Sequence, residues 1–259
     1  PLNSQSKILE LKNITKRFGP VIANDNVSLD VIEGTIHGIV GENGAGKSTL
    51  MSILFGFYQS DSGTIKVFNK EEIINSSQRA ISLGIGMVHQ HFMLVPTFSV
   101  LENVILGNEK GSILSKNLST ARDNLIKLSN SFGLEVNPDE LIQNLPVGMQ
   151  QRVEILKSLS RGAKILVLDE PTGVLTPQET EALFEILKSL KDQGVTVILI
   201  THKLKEIMAV TDFVSVMRNG KMVSNLVTQN TSTGEIAELM VGRKVLFSID
   251  KKASQAGET

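Results

Sequence analysis

The 259-residue sequence contains no cysteine, which excludes disulfides, thiolate metal sites and cysteine nucleophiles. It also lacks an excess of one charge, because 26 Lys and Arg residues stand against 27 Asp and Glu residues, for a net charge of −1. A broad basic footprint for nucleic acid is therefore not expected, although a local basic patch is compatible with this balance.

Long apolar runs are absent too. No run approaches the roughly 18 residues that a membrane-spanning helix needs, and the longest, at 36–40, 165–168 and 195–200, have the length of strands. The N-terminus (PLNSQSKILE) has no apolar core of the kind found in signal peptides. With 41% apolar and 20% charged residues, the composition is that of a globular chain, and its length suits one large α/β domain.

Short β-branched segments bounded by Gly, Asn or Asp predict strands at 7–14, 27–32 and 63–68. Segment 36–40 is nearly all apolar, which is typical of a strand covered on both faces. A helix is expected from about 47 to 57, with four apolar residues on one stripe: Leu50, Ile53, Leu54 and Phe57.

Between about 91 and 160 the strand signals fade, and helical patterns appear at 119–132 and 150–160. We interpret this stretch as a helical subdomain inserted in the α/β body. A later helix opens on a capping box, Thr176 to Glu179, with Pro177 at its first position, and is expected to run to about 193. Its inward side chains are predicted to be Leu183, Ile186, Leu187 and Leu190.

Strands are expected on both sides of this helix, at 165–168 and 195–200. Farther on, Asn219-Gly220 lies between two strand-like segments and is a strong signal for a type I′ hairpin. Ser232 to Glu235 forms a second capping box, which predicts a short final helix.

The most specific motif follows the apolar segment 36–40 and matches the P-loop pattern G-x₄-G-K-[ST]. Its glycines let the backbone wrap a phosphate with N–H groups pointing inward, and the helix that follows adds its positive end. Lys47 is expected to reach the β- and γ-phosphates, and Ser48 to hold Mg²⁺. The candidate residues are Gly41, Glu42, Asn43, Gly44, Ala45, Gly46, Lys47, Ser48 and Thr49.

A second motif places two acids, Asp169 and Glu170, at the carboxyl end of a buried strand, where open α/β sheets bind ligands. Asp169 is placed to ligate Mg²⁺, directly or through water, and Glu170 to orient and deprotonate an attacking water. An acid pair after an apolar strand is also common as a helix cap. Downstream of a P-loop, the functional interpretation is the stronger one.

His202 also follows an apolar strand, so it should join the same edge, where it could hydrogen-bond the γ-phosphate or the attacking water. Gln90 follows the short apolar stretch 85–88, and its amide oxygen can ligate Mg²⁺ or hold a water. The other three histidines, His37, His89 and His91, are expected to be surface or capping residues.

The P-loop, Gln90, the segment LPVGMQQR (145–152), the acid pair and His202 occur in one order. In this combination the chain resembles the nucleotide-binding subunits of ATP-binding-cassette (ABC) transporters over nearly its whole length. The resemblance implies a P-loop α/β fold with a mixed parallel sheet core, an antiparallel β subdomain and the inserted helical subdomain. It also implies one ATPase domain at 1–245, a polar tail or linker at 246–259, and ATP and Mg²⁺ as cofactors.

The resemblance supplies roles that spacing alone does not. Phe18 resembles the aromatic residue that stacks on adenine, and Gln90 resembles the Q-loop glutamine, which senses Mg²⁺ and γ-phosphate and couples to the transmembrane partner. Glu170 resembles the general base and His202 the switch histidine. The signature position, which in the family binds the γ-phosphate of the opposing subunit in a head-to-tail dimer, corresponds to Pro146, Val147, Gly148, Met149 and Gln150.

The chain departs from the family pattern in two segments that, in the family, communicate between the two subunits of that dimer. The usual signature is LSGGQ, but here 145–149 reads LPVGM. Pro146 has neither a hydroxyl nor an N–H for the phosphate, and only Gly148 keeps the close backbone approach. The segment after Glu170, usually S-A-L-D, here ends in Thr176. The chain's own P-loop, base and histidine remain complete.

A finer resemblance lies in the strings 86–107, 147–159, 171–179 and 238–243, which are similar to the first half of tandem ATPases that serve importers of simple sugars and nucleosides. The chain, which begins with Pro, would then be such a first half. The implied partners are transmembrane permeases, a second nucleotide-binding domain fused in the full-length protein and, indirectly, an extracytoplasmic substrate-binding protein, at the cytoplasmic face of the membrane. No nucleic acid is expected, and the loop strings favour a nucleoside over a sugar.

Three functions remain open at this point. The leading one is an ATP-hydrolysing motor that drives import through membrane permeases. The second is a switch or scaffold that binds ATP but scarcely hydrolyses it, which Pro146 and Thr176 favour. The third is a soluble ABC ATPase acting on DNA or ribosomes, against which the balanced charge and the short helical insert argue.

Overall fold

The computed structural model describes residues 6–106 and 118–242, so the predicted tail at 246–259 lies outside the described residues. The strands are Lys7–Phe18 (β1), Val21–Ile32 (β2), Ile36–Val40 (β3), Ser62–Val67 (β4), Lys70–Glu72 (β5), Ile85–Val88 (β6), Ile165–Asp169 (β7), Thr196–Ile200 (β8), Phe213–Arg218 (β9) and Lys221–Val227 (β10). The α-helices are Lys47–Leu54 (α1), Ser77–Ser82 (α2), Val100–Ile105 (α3), Leu118–Phe132 (α4), Val147–Ser160 (α5), Pro177–Asp192 (α6), Leu204–Val210 (α7) and Thr233–Val241 (α8).

The strands form two sheets, as the resemblance implied. An antiparallel sheet has the order β2-β1-β4-β5, and a six-stranded mixed sheet has the order β10-β9-β3-β8-β7-β6. In the mixed sheet β3 pairs in parallel with β8 and β9, and β7 with β6 and β8, whereas β10 runs antiparallel to β9. The carboxyl ends of β3, β6, β7 and β8 therefore meet at one edge.

The first two strands are longer than the sequence pattern predicts. Asn13 and Asn26 have positive φ values of 54° and 53°, and the register of β1 with β2 shifts between Leu11 and Ile14. Both residues lie at bulges in which the backbone N–H donates to a side chain of the opposite strand, Ser28 for Asn13 and Thr15 for Asn26. A bulge lets a strand continue through polar residues that otherwise signal its end.

The central strand β3 of the mixed sheet is buried on both faces. Ile36 and Val40 of β3 belong to one apolar cluster together with the inward face of α6, whereas Ile39 belongs to a second cluster with α1 and the antiparallel sheet. This confirms that β3 is covered on both sides. It also corrects the expectation for His37, which is buried at 4% exposure on the same strand rather than lying at the surface.

Helix α6 follows the predicted pattern closely. Thr176 accepts from the Glu179 N–H, the Glu179 carboxylate accepts from the Thr176 N–H, and Pro177 is the first residue. The predicted capping box and the buried set Leu183, Ile186, Leu187 and Leu190 are thus confirmed.

Two other helix predictions are partly wrong. Helix α1 ends at Leu54 because Gly56 turns the chain with a φ of 78°, and this leaves Phe57 51% exposed instead of on the buried stripe. At α8, Ser232 accepts from the Glu235 N–H, but the Glu235 carboxylate accepts from the Thr231 hydroxyl instead of closing the box.

The interval 91–160 holds α3, α4 and α5, in keeping with its helical pattern. Helix α5 begins at Val147, three residues before the predicted start, directly after Pro146 as its N-cap. Buried residues of these helices, such as Val104, Leu125 and Leu156, share a cluster with the β7 side chains Leu166 and Leu168, so the inserted helices pack on the sheet core. Within the described part of the chain, none of the helices combines the length and the apolar character needed to cross a bilayer.

Candidate nucleotide-binding site

The sheet register aligns the predicted site residues at one edge. Ile39 of β3 lies opposite Ile200 of β8, Ile200 lies opposite Asp169 of β7, and Val88 of β6 pairs with Leu168. Neighbouring strands are about 4.8 Å apart. The P-loop, the His202 loop, the acid pair and Gln90 therefore emerge side by side, in that order, across four adjacent strands.

The P-loop connects β3 to α1 and has the backbone that its glycines predict. Gly44 and Gly46 have φ values of 82° and 100°, and a Cβ at Gly46 would lie only 2.4 Å from the Ala23 carbonyl oxygen. Gly46 is the N-cap of α1 and provides no side-chain cap, and the first turn contains no acid. The N–H groups at this helix end are thus suited to an anion, and the neighbouring Glu42, Asn43 and Ser48 are exposed.

The Lys47 side chain is buried within the loop. Its Nζ donates to the Gly41 carbonyl at 2.6 Å and to the Glu42 carbonyl at 3.0 Å. Burial lowers the pKa of Lys47, and the negative charges of Glu170 and Asp169 oppose that shift. The ammonium and the acid pair are therefore close enough to feel each other's charge.

A distant hairpin supports the P-loop, a relationship that the sequence analysis missed. The turn Asn219-Gly220 between β9 and β10 has two positive φ values, 51° and 75°, which confirms the predicted type I′ geometry. The Gly220 N–H of this turn donates to the Ala45 carbonyl at 3.0 Å, and the Gly220 carbonyl accepts from the Asp25 N–H at 2.8 Å. The buried Asn24 amide donates to the Gly46 carbonyl at 3.0 Å. No local sequence signal indicates these contacts.

The acid pair at the end of β7 has an unusual electrostatic environment. Burial raises the pKa of Asp169, the adjacent Glu170 raises it further, and Lys47 opposes both effects. Glu170 has a φ of 47°, in the left-handed region that side chains other than glycine rarely occupy. Such strain in a non-glycine residue is a common feature of functional sites.

Glu170 and His202 are in direct contact. The Glu170 Oε1 lies 2.9 Å from the His202 Nδ1, and about half of the His202 side chain is exposed. Because an ionised carboxylate can only accept, Nδ1 carries the hydrogen of this bond. The structure thus brings together the two residues that the sequence analysis selected as base and switch.

Gln90 lies two residues beyond β6 and is exposed at the same edge. Its neighbour His89 is half-buried, with its ring 5.8 Å from that of Phe57 and 6.3 Å from that of Phe55, and burial lowers its pKa. His89 therefore packs in an aromatic cluster, while Gln90 is free to face the edge of the sheet.

Phe18 ends β1 beside the P-loop, because Asn24, which contacts Gly46, lies on the strand paired with β1. The Phe18 ring is 40% exposed; the Tyr58 ring meets it edge-on at 5.1 Å, and the Lys16 Nζ lies 5.3 Å from its centroid. Asp61 accepts from the Arg17 N–H at 2.7 Å, which holds this segment in place. Tyr58 is an aromatic neighbour that the sequence analysis did not select.

The signature segment forms the first turn of α5. Pro146 is its N-cap and offers no side-chain hydrogen bond, while the Met149 and Gln150 N–H groups donate to the Pro146 carbonyl at 3.0 Å each. The Gly148 N–H instead donates to the Glu179 Oε1 at 3.2 Å. The carboxylate that closes the α6 capping box therefore also caps α5.

The oxygen donors at the edge suit magnesium. Among residues 6–106 and 118–242, no group of three or more His, Asp or Glu side chains is arranged to hold a metal without other ligands. Mg²⁺ is usually held by one or two carboxylates together with waters and substrate phosphates. The hydroxyl of Ser48, the carboxylate of Asp169 and the amide of Gln90 provide such a partial set.

Comparison with known proteins identifies a family. The model of the ABC transporter family matches residues 24–173. The chain is 51% identical over 248 residues to the nucleoside import ATP-binding protein NupA of Lactococcus lactis subsp. cremoris, covering 96% of this chain and 49% of that protein. It is 50% identical over 250 residues to the guanosine import ATP-binding protein NupO of Bacillus subtilis, with the same coverage.

A third relative, the glucose import ATP-binding protein TsgD13 of Haloferax volcanii, is 42% identical over 283 residues, covering 98% of this chain and 52% of that protein. The chain thus spans about half the length of these relatives. Among solved structures, the ADP conformation of MJ1267, an ATP-binding cassette of an ABC transporter, aligns with a TM-score of 0.80 at 27% identity, over 92% of this chain and 99% of that one. The dimeric cassette MJ0796 aligns with a TM-score of 0.72 at 26% identity, over 86% and 100%.

Proposed function

The chain belongs to the ABC transporter family, and on that premise we propose that it is the ATP-hydrolysing motor of an importer. The observation that carries the proposal is the alignment of a P-loop, an acid pair and a histidine at the ends of three adjacent strands. ATP binding closes a dimer of two such domains, hydrolysis reopens it, and membrane permeases convert the cycle into transport.

In this proposal the P-loop binds the triphosphate. The N–H groups from Gly41 to Thr49 surround the phosphates, and Lys47 leaves its two loop carbonyls to contact the β- and γ-phosphates. Phe18 provides an exposed aromatic face for adenine. Ser48, Gln90 and Asp169 would hold Mg²⁺, which would neutralise charge on the phosphate oxygens.

Glu170 performs the proton transfer. Its carboxylate accepts the proton of the attacking water, and His202 orients that carboxylate through the 2.9 Å contact. The raised pKa of Asp169 reflects burial next to another acid, and a bound cation at this position would relieve the repulsion. Catalysis then depends mainly on positioning and on charge stabilisation, as in other phosphoryl transfers.

The second nucleotide-binding domain completes the site. Residues Pro146 to Gln150 at the start of α5 face the ATP of the opposing domain in a head-to-tail dimer. Support comes from the solved dimer of a similar cassette and from the relatives, which are about twice as long as this chain.

Two relatives that are half identical to the chain are named for nucleoside and guanosine import, so we propose a nucleoside as the cargo, with a simple sugar as the alternative. The partners are permease subunits at the cytoplasmic face of the membrane, and a substrate-binding protein outside it delivers the cargo. The balanced net charge gives no support for nucleic acid as a partner.

Steady-state ATP hydrolysis, measured for the chain alone and for the complex with its second domain and permeases, tests the motor. We expect Mg²⁺-dependent phosphate release that the Glu170→Gln variant loses while it still binds ATP. Equal rates of ATP hydrolysis for the parent and Glu170→Gln in the assembled complex would show that Glu170 is not the general base.

One observation favours a second candidate, a switch that binds ATP but scarcely hydrolyses it. The Gly148 amide, the one signature group that keeps its approach to a phosphate, is bonded to Glu179. ATP-dependent assembly with no turnover in the complete transporter would select this alternative.

A further inference from the structure

A buried carboxylate is bonded to residues next to both Glu170 and His202. Glu206, on α7, is only 8% exposed, and its two oxygens accept from two buried threonines. The Thr172 hydroxyl donates to Oε1 at 2.6 Å, and the Thr201 hydroxyl donates to Oε2 at 3.3 Å. One side chain therefore joins two separate loops.

Those two loops carry the proposed catalytic pair. Thr172 lies two residues after Glu170, and Thr201 directly precedes His202. The loops are also joined by the backbone, because the Glu170 N–H donates to the Ile200 carbonyl at 2.9 Å. A change in the position of either threonine would change the distance between Glu170 and His202.

The hydrogen bonds in this cluster have a consistent direction. Each threonine hydroxyl donates to Glu206 and accepts from Lys203: the Thr172 hydroxyl from Nζ at 3.0 Å, and the Thr201 hydroxyl from the backbone N–H at 3.0 Å. Both oxygens of Glu206 therefore act as acceptors in this cluster. The Lys203 Nζ lies 3.4 Å from Oε1 and balances the buried charge.

The same segment is held from the side of α5. The Gln151 amide, 2% exposed, donates to the Pro171 carbonyl at 2.7 Å. Pro171 lies between Glu170 and Thr172, so the segment after the proposed base is bonded both to α5 and to Glu206. A fully bonded buried network of this kind holds its members in a single arrangement.

We propose that Glu206 is a positioning residue for ATP hydrolysis: by bonding Thr172 and Thr201 together, it sets the separation of Glu170 and His202. This inference rests on the proposed function. Glu206 is buried and its carboxylate is bonded to the two threonines, so it acts through them and affects turnover rather than ATP binding.

Glu206→Gln is the sharpest test, because glutamine has the same size but replaces one acceptor oxygen with a donor. We expect kcat to fall at least tenfold, since small displacements of reacting groups reduce rates by about a hundredfold, while the Kd for ATP stays within twofold. Lys205→Gln, an exposed neighbour on the same helix, is the matched control and should leave both values unchanged. A Gln variant with the parental kcat would overturn the inference.

A double-mutant cycle separates positioning from loss of stability. If Glu206 acts through His202, Glu206→Gln added to His202→Ala lowers kcat no further than His202→Ala alone. Full additivity of the two effects, or a fall in kcat that matches only the fraction of unfolded protein, would refute it.

A second readout does not depend on turnover. In NMR spectra of the full chain, Glu206→Gln should shift the imidazole resonances of His202, whereas Lys205→Gln should not. If the parent protein hydrolyses no ATP but His202 responds in this way, the proposed function fails and the positional link stands. An unchanged His202 signal in folded Glu206→Gln protein would disprove the link itself.

Discussion

The Glu170 carboxylate meets the His202 imidazole at 2.9 Å, although the two residues are 32 positions apart in the chain. They come together because β7 and β8 are adjacent parallel strands whose last residues, Asp169 and Ile200, are in register. One residue beyond Asp169 and two beyond Ile200, the chain places the acid and the histidine face to face. This contact is the geometric centre of the proposed hydrolytic site.

Replacing His202 with alanine should leave Glu170 without its orienting partner. We expect kcat to fall by about a hundredfold or more, in the range of a general base that is poorly placed, with ATP binding retained. Phosphate release and ATP binding, each measured on the same preparation, check this. The exposed His91→Ala is the matched control, and equal losses in both variants would contradict the role of His202.

Lys47→Ala removes the buried cation of the P-loop. The variant should lose ATP binding or turnover, because the phosphate charges lose the one side-chain cation that the motif supplies. Isothermal titration with ATP and Mg²⁺ measures the loss. Lys127→Ala, on the exposed side of α4, should bind as the parent does, and unchanged turnover in Lys47→Ala would be inconsistent with the P-loop assignment.

Glu179→Gln should favour the ATP-bound dimer. The Gly148 N–H cannot donate to the Glu179 carboxylate and to a phosphate at the same time. It must therefore leave Glu179 before it can bind a phosphate. In a Glu170→Gln background we expect the dimer to form at roughly fivefold lower ATP, because glutamine keeps a neutral acceptor and bonds to charged groups contribute about 1 kcal/mol more than neutral ones. Sedimentation across an ATP titration measures it, with Glu181→Gln as the control; a weaker dimer would show that Glu179 supports the signature instead.

Stability should fall in mild acid because of His37. Burial lowers the pKa of His37 to about 4, so the folded protein keeps it neutral while the unfolded chain binds a proton below its ordinary pKa of 6.5. This contribution is present above pH 6.5 and is lost as the pH falls towards 4, by up to about 3 kcal/mol. Urea unfolding at pH 5 and pH 7 should show a smaller difference for His37→Gln than for the parent, and an equal difference would contradict the prediction.

Leu187→Ala tests the core that supports the sheet. Leu187 is fully buried on the inward face of α6, so its truncation leaves a cavity and should destabilise the fold by about 2–5 kcal/mol. The midpoint of urea unfolding measures the change. Lys188→Ala, exposed on the same helix, should have little effect, and a similar loss in both variants would argue against a cavity mechanism.

The parts of the site that the sequence predicts share one property: each is a short segment of consecutive residues at the end of an apolar strand. The P-loop, Asp169-Glu170 and His202 needed only the rule that parallel strands end at one edge, and the capping box at Thr176 is a contact within four residues.

The contacts that sequence reasoning missed are polar bonds between distant elements. Glu179 reaches Gly148 across 31 positions, and Glu206 of α7 bonds both Thr172 and Thr201, which follow different strands. In the sequence, Glu179 indicates only a local capping box, and Glu206 looks like an ordinary helix residue. Tertiary packing decides which backbone groups lie within reach of such a side chain.

The support of the P-loop by the β9–β10 turn has a consequence for biosynthesis. The bond from the Gly220 N–H to the Ala45 carbonyl means that the loop is shaped by residues translated long after it. A nascent chain on the ribosome that has not yet exposed residue 220 contains all the residues of the P-loop but lacks the hydrogen bond from Gly220. The P-loop therefore acquires this support only after β9 and β10 have been synthesised and have joined the mixed sheet.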